Sequence, residues 1–383
     1  MTPDQHLSDH EDLDALLGAL EHQHDAAIDL YGTMRQYLER KARLRGVPLH
    51  GTFELTPLCN LDCRMCYVHL NRQQLAGRKL LTAEQWQALM DQAIALGMMD
   101  ATFTGGECLT YPGFDQLYLH LYQQGIRTTI LTNGLLLTEE RIRFFRQHPP
   151  KGIQITLYGS SDDEYEAVTG HRCFERVIRQ IRSIAQTKIP LTIAITPNCF
   201  LPDGGEQLVR LADELGVWYT INTNLFHPRA ETGRRDDLID LTDEQYICLH
   251  LLRRKLRGIQ ATPADCELPL PATTGKKQKG LLCSAGNSAF HLRWDGTMIP
   301  CGSFEGIEAQ PLTEGFASAW ARIHAACTEF PLPEECSGCA YRDLCPACVM
   351  AHRQGAEPGH ASPALCARAQ KLVASGLATL NDN

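Results

Sequence analysis

Between residues 51 and 226, short β-rich runs alternate six times with amphipathic helical stretches, and no other feature limits the fold as much. The runs are Gly51–Thr56, Ala101–Thr104, Arg127–Leu131, Ile153–Leu157, Leu191–Thr196 and Val217–Ile221. Helical segments between them include Thr82–Leu96, Phe114–Gln124 and Gln207–Leu215, followed by Gly97, Gly125 and Gly216, and also Phe174–Ala185. Six β/α units in a row imply a parallel sheet wound by right-handed crossovers. The closed barrel of this kind has eight. A partial (β/α)6 barrel of the TIM type, a doubly wound sheet and a closed barrel therefore compete, and each puts the chemistry at the C-terminal ends of the strands.

The flanks are of a different kind. The first fifty residues read as a helical N-terminal extension, with Leu13, Leu16, Leu17, Leu20, Ile28, Tyr31, Met34 and Leu38 at helical spacing and Gly46 and Pro48 to end it. Asp236 to Arg257 reads as one more helix, and the stretch PLPATTGKKQKG beyond it as a linker. The region after the linker is poor in periodic pattern and rich in cysteine, as expected of a fold held by metal rather than by apolar area. One hairpin stands out there, Phe290 to Cys301, turning at Asp295-Gly296. The expected units are residues 1–50, 51–260 and 261–383.

The 45 acidic residues outnumber the 36 basic ones, for a formal charge of -9, which argues against nucleic acid as a partner. No apolar run approaches the roughly 18 residues a membrane span needs, and the opening MTPDQHLSDHEDLD has no apolar signal region. The chain reads as cytoplasmic. In a reducing compartment its 16 cysteines point to metal binding or catalysis rather than disulfides.

The first expected strand, FELT, runs directly into PLCNLDCRMC, so Cys59, Cys63 and Cys66 sit on a loop at a strand's C-terminal end. In this C-x3-C-x2-C spacing three thiolates wrap three corners of a cubane cluster and leave one iron open. Structural zinc is the competing reading, but it needs four ligands, usually from two C-x2-C pairs, and this loop carries three cysteines.

Position and spacing together resemble the radical S-adenosylmethionine enzymes, whose signature is this loop after the first strand of a partial (β/α)6 barrel. The resemblance implies a [4Fe-4S] cluster on Cys59, Cys63 and Cys66 whose open iron chelates the amino and carboxylate groups of S-adenosyl-L-methionine. One electron then splits the sulfonium, giving methionine and a 5'-deoxyadenosyl radical that abstracts a substrate hydrogen. Gly105-Gly106-Glu107, after the second strand, resembles the family's glycine-rich motif that receives the methionine amino group. Glycine lets backbone approach a ligand closely. Enlarging Gly106 is therefore expected to weaken cofactor binding and leave iron content intact. Asn133, in Thr132-Asn133-Gly134, and Thr156 and Tyr158 on the fourth strand complete the expected cofactor site, with Met65 where relatives place an aromatic near the adenine. Cys108 follows the glycine motif where relatives commonly have proline.

A second cysteine group follows. Cys283 and Cys301 flank the hairpin, and then come Cys336-x2-Cys339-x5-Cys345-x2-Cys348 and Cys366. Spacing alone also fits a pair of structural zinc sites. The order resembles the SPASM extension of peptide-modifying and cofactor-forming radical enzymes, which holds up to two auxiliary four-iron clusters. Carried over by position, Cys336, Cys339, Cys345 and Cys366 hold one cluster. Cys283, Cys301 and Cys348 hold the other, with Cys266 as a candidate fourth ligand. Relatives more often show three residues between the positions of Cys345 and Cys348. Cys173, Cys199, Cys248 and Cys327 fit no ligand set and read as interior residues. Cys199, just past the fifth strand in TPNC, also points to the barrel mouth, where a thiol can return a hydrogen atom to a substrate radical.

The resemblance implies an oxidoreductase that modifies a ribosomally synthesised peptide or protein by a thioether or carbon–carbon cross-link, or a related oxidation, with the auxiliary clusters accepting the second electron. Peptide epimerisation and a step of small-molecule cofactor biosynthesis are alternatives, and a non-catalytic iron–sulfur or zinc scaffold is the remote one. The partners implied are a precursor peptide or protein and a flavodoxin- or ferredoxin-like electron donor.

Overall fold

A computed structural model describes residues 30–198, 201, 203, 205–222, 228–232, 242–257, 280–281, 283–336, 339–341 and 359–375. Its centre is a sheet of β1 (His50–Glu54), β2 (Asp100–Thr104), β3 (Arg127–Thr132), β4 (Gly152–Leu157), β5 (Leu191–Ile195), β6 (Trp218–Ile221), β7 (Ala289–Leu292) and β8 (Met298–Ile299). The order is β6-β5-β4-β3-β2-β1-β7-β8. Strands β1 to β6 pair in parallel with their sequence neighbours. A doubly wound sheet reverses its strand order at a switch point, whereas this order never reverses between β1 and β6, so successive right-handed crossovers stay on one face. The sheet is open: a partial barrel, as the resemblance implied.

Helices α1 (Leu30–Arg45), α2 (Ala83–Ala95), α3 (Phe114–Gln123), α4 (Glu139–Gln147), α5 (Asp162–Thr169), α6 (Phe174–Ala185), α7 (Glu206–Glu214) and α8 (Asp243–Arg257) belong to this part of the chain. Side-chain caps start α2, α4, α5 and α8, the last on Thr242 and Gln245. Thr82 and Gln85 form a capping box on α2, and Thr138 and Ser161 accept from Arg141 N and Glu164 N. The sequence pattern does not single out α4 or α5. Residues 1–29, with most of the expected N-terminal helix, and residues 236–241 of the expected later helix lie outside the described residues.

Strand alternation separates two faces. Phe53, Phe103, Ile130, Ile155 and Ile193 are fully buried against the helical layer. The Phe53 ring centroid lies 6.0 Å from that of Trp86 and 5.7 Å from that of Phe290, edge to face. Most alternate positions, Thr52, Thr102, Thr104, Thr129, Gln154, Thr156, Thr192 and Thr220 among them, are only partly buried, while Glu54 and Ala194 are fully buried. The inner face is thus a polar, hydroxyl-lined hollow rather than a packed core.

The sheet continues beyond residue 260. β7 pairs in parallel with β1, His50 opposite Ala289 and Phe53 opposite Leu292, and β8 returns antiparallel through a turn at Gly296 with φ +89°. The expected hairpin exists, but as the flank of the barrel. Helices α9 (Pro311–Glu314) and α10 (Phe316–Thr328) pack beyond it, Phe316 lying 5.1 Å from Phe290 between ring centroids, and α11 (Pro363–Ala374) follows. Among the described residues no helix is long and apolar enough to cross a membrane.

Candidate cofactor and metal site

β1 runs straight into the cysteine loop, which is pinned on two sides. On one side it is laced to the turn after β2. Leu55 N donates to Thr104 O (3.0 Å), Gly106 N to Thr56 O (2.7 Å) and Glu107 N to Leu58 O (2.9 Å). A Cβ on Gly105 would overlap the Thr56 carbonyl oxygen, and one on Gly106 would come within 2.7 Å of the Leu58 carbonyl carbon and 2.8 Å of Pro57 O. The close approach that requires two glycines is therefore to the cysteine loop's own backbone, so enlarging Gly106 displaces that loop. On the other side, Asp62 N donates to Thr169 O (3.0 Å) and Arg64 N to Val168 O (2.9 Å), at the C-terminal end of α5.

N–H groups point at the sulfurs of this loop: Leu61 N at Cys59 Sγ (3.4 Å), His69 N at Cys66 Sγ (3.2 Å) and Asn133 Nδ2 at Cys59 Sγ (3.7 Å). Burial pushes the Cys59 thiol up to about 12 against the pull of the Leu61 N–H, so a thiolate there needs a cation beside it. That donor set fits the corners of an iron–sulfur cluster. Among the described residues no His, Cys, Asp or Glu side chains converge in threes on one metal ion. A cubane, with each thiolate on a different iron, asks for a wider spacing.

Glu107 is fully buried, and its carboxylate accepts from Asn133 N (2.8 Å), Thr132 Oγ1 (2.9 Å) and Leu109 N (3.1 Å). Burial raises its pKa while these donors oppose the rise. The side chain ties the ends of β2 and β3 together and so sets Asn133, whose amide also donates to Asn60 Oδ1 (2.7 Å). Tyr158 lies within electrostatic range of all three thiols. Burial first, and then Cys63, Cys66 and Cys59, push its phenol up. Thr156 lies on the inner face, two residues earlier on the same chain run. Met65 is 7% exposed and belongs to the buried hydrophobic core. Cys199 lies outside the described residues.

A family model for the Radical SAM superfamily matches residues 53–215, the stretch from β1 to α7. That stretch is a Radical SAM domain. The chain is 25% identical over 279 residues to the sporulation killing factor maturation protein SkfB of Bacillus subtilis (strain 168), covering 72% of this chain and 63% of that protein. It is 30% identical over 173 residues to the PqqA peptide cyclase of Streptomyces rochei, covering 45% of this chain and 47% of that one. The chain thus spans less than two thirds of the length of either relative. Streptococcus suis SuiB, solved bound to S-adenosylmethionine, shares the fold at a TM-score of 0.66 and 17% identity, over 94% of this chain and 87% of that one.

Cys248, expected to be an interior residue, is exposed on α8, and the other described cysteines beyond this radical SAM domain fall into two places. Glu335 accepts from His360 Nδ1 (2.8 Å) and Ala361 N (3.2 Å), fastening the turn that carries Cys336 to the start of α11, which carries Cys366. Burial, then Cys339 and Glu335, raise the Cys366 thiol, which puts it near Cys339. Cys266, Cys345 and Cys348 lie outside the described residues. At the second place, Leu281 N donates to Cys327 O (2.9 Å), so the loop bearing Cys283 wraps over the end of α10. Cys327, expected to be an ordinary interior residue, is pushed up to about 12 by burial and then by Cys283 and Cys301, and so lies near both. No spacing rule marks it, because the proximity comes from tertiary packing.

The sequence reading also missed a buried cluster that joins Glu54 of the radical SAM domain to residues beyond it. Arg229 Nη1 and Nη2 donate to Glu54 Oε1 (2.9 Å) and Oε2 (2.8 Å), and His291 Nε2 lies 3.0 Å from Glu54 Oε2. Glu54 is held down at about 2: burial opposes ionisation, but Arg229 and His291 outweigh it. A charged residue inside the strand run FELT was the available signal.

Proposed function

We propose that this chain is a radical S-adenosylmethionine enzyme that modifies a ribosomally synthesised peptide or protein, installing a thioether or carbon–carbon cross-link or a related oxidation. The observation that carries the proposal is the three-thiol loop, pinned by Gly105 and Gly106 at the C-terminal end of β1 and surrounded by N–H donors. When bound there, a [4Fe-4S] cluster with an open iron supplies the electron that cleaves S-adenosylmethionine to methionine and a 5'-deoxyadenosyl radical. Cys59, Cys63 and Cys66 hold that cluster. Gly105, Gly106 and Glu107 shape the cradle beside it, Asn133 and Tyr158 line it, and Thr156 faces the hollow where the nucleoside lies.

The peptide substrate is supported by the two sequence relatives, a maturation protein and a peptide cyclase, and by the hollow itself. A partly open, hydroxyl-lined face suits hydrogen bonding to peptide backbone. Cys336, Cys339, Cys345 and Cys366 would hold one auxiliary cluster and Cys283, Cys301 and Cys348 the other, with Cys266 as an optional ligand. A flavodoxin- or ferredoxin-like donor, and a cytoplasmic location that keeps the thiols reduced, complete the reading.

Anaerobic reconstitution should load about three four-iron clusters, by the ligand count. Replacing Cys59, Cys63 and Cys66 together by Ala should remove one cluster's worth of iron and abolish 5'-deoxyadenosine formation. Stoichiometric zinc in protein purified without oxygen, with no iron–sulfur absorbance, would overturn the proposal. Mass spectrometry of the product peptide then reads the chemistry: a loss of two hydrogens for cross-linking and no mass change for epimerisation.

A further inference from the structure

The buried Glu54–Arg229–His291 cluster joins four segments that are far apart in sequence: β1, the 228–232 turn, β7 and the turn after β8. Arg229 touches both cysteine groups at once. Its backbone N–H donates to the carbonyl of Tyr67 (3.3 Å), the residue immediately after Cys66, and its Nη2 donates to the carbonyl of Gly302 (2.9 Å), the residue immediately after Cys301. Its guanidinium also lies over the Tyr67 ring, 5.6 Å from the centroid. Space between the groups is tight. A Cβ on Gly302 would come within 3.1 Å of the Tyr67 hydroxyl and 3.2 Å of His291 Cε1.

The turn that carries Arg229 is itself anchored. Glu231 pairs with Arg78 (2.8 Å) and Arg293 (2.6 Å), and Gln74 Nε2 donates to Thr232 O (2.7 Å). Arg229 and Glu54 are 8% and 0% exposed, so water screens their charges little. His291 faces a carboxylate, an acceptor only, so its Nε2 carries the ring proton. Burial favours the neutral ring. The cluster therefore holds one positive and one negative charge in balance between the two cysteine groups.

We propose that Arg229 is a positioning residue that registers the Cys301 turn against the first cysteine loop and, by balancing Glu54, sets the reduction potential of the iron held through Cys301. The inference rests on the radical-enzyme reading above. Cluster potentials respond to nearby net charge, hydrogen bonding and solvent exposure. Removing Arg229 alone leaves the Glu54 carboxylate uncompensated in a low-dielectric setting, which disfavours adding an electron nearby.

The test uses the full chain, anaerobically reconstituted, with potentiometric titration of each cluster signal by electron paramagnetic resonance. Arg229→Gln should make reduction of the auxiliary signal at least tenfold less favourable, 59 mV for a one-electron couple. Arg229→Lys should recover part of the shift. The Glu54→Gln/Arg229→Gln double variant, which removes both charges, should return to within tenfold of the parent. An unchanged auxiliary potential in iron-loaded Arg229→Gln, or equal shifts in the single and double variants, overturns the inference. Should Arg229→Gln not load iron, Glu54→Gln reads the same balance in the opposite direction, and no rise in its potential overturns the inference equally. A parent protein that loads clusters and cleaves S-adenosylmethionine while all variants keep its potentials sinks this inference alone. A parent without iron–sulfur signals sinks the radical reading itself.

Discussion

One added methyl group probes how the cysteine loop is held. The Cβ of Gly106→Ala would press on the backbone of Pro57 and Leu58, directly before Cys59, and backbone yields less readily than a side chain. Stability should fall by about 1–3 kcal/mol. Iron at the first site and 5'-deoxyadenosine formation should fall together, in contrast to the sequence-based expectation that only cofactor binding suffers. Iron per chain beside a urea melt decides it, and full iron content with weakened cofactor affinity would restore the earlier expectation. Residue types at this site were legible because cysteine spacing and paired glycines are local signals. What each side chain faces was not. Glu107 reads as a cofactor contact by motif, and its carboxylate also accepts from Thr132 and Asn133 at the end of β3, 25 and 26 residues later in the chain.

At the scale of elements, β1 to β6 were legible because each is a short apolar run closed by turn residues, and their ends agree with the reading to within two residues. Helix α5 was not, since eight residues inserted between β4 and α6 carry too little periodicity, although its last carbonyls hold the cysteine loop. The first residue of β2 makes a separate prediction at the end of the strand away from the Gly105 turn. Burial alone would raise the Asp100 carboxyl, but His50, Lys151 and Arg127 outweigh it and hold the group at about 2, against an ordinary 3.8. Because the folded value is the lower one, the stabilisation is complete above about pH 4 and is lost as pH falls toward 2. Asp100→Asn should therefore melt below the parent at pH 7, and the gap should close between pH 4 and pH 2. Paired melts across that range check it, and a gap that stays constant with pH would remove the charge explanation.

For the whole molecule, the expected division at residue 260 met a sheet that runs past it. The cysteine-rich composition of the later region suggested a body held by metal. The pairing of β7 with β1 was invisible because parallel partners 239 residues apart, as for His50 and Ala289, leave no local signal. The consequence is energetic. Phe53 packs on Phe290, which packs in turn on Phe316 and Trp320, so a chain ending at residue 260 would uncover this aromatic row and the hydrogen-bonding edge of β1. Each large apolar side chain returned to water costs about 1.5–3 kcal/mol, which for two or three residues rivals the 5–15 kcal/mol that holds a typical domain together. An open edge strand beside exposed aromatics is also a template for aggregation. A fragment of residues 51–260 should thus be recovered mainly as aggregate, while the full chain, with β7 and β8 covering β1, should run as a discrete species. Size-exclusion chromatography of both, prepared alike and without oxygen, makes the comparison. A monodisperse 51–260 fragment with a cooperative melt would mean that the barrel closes its flank without β7.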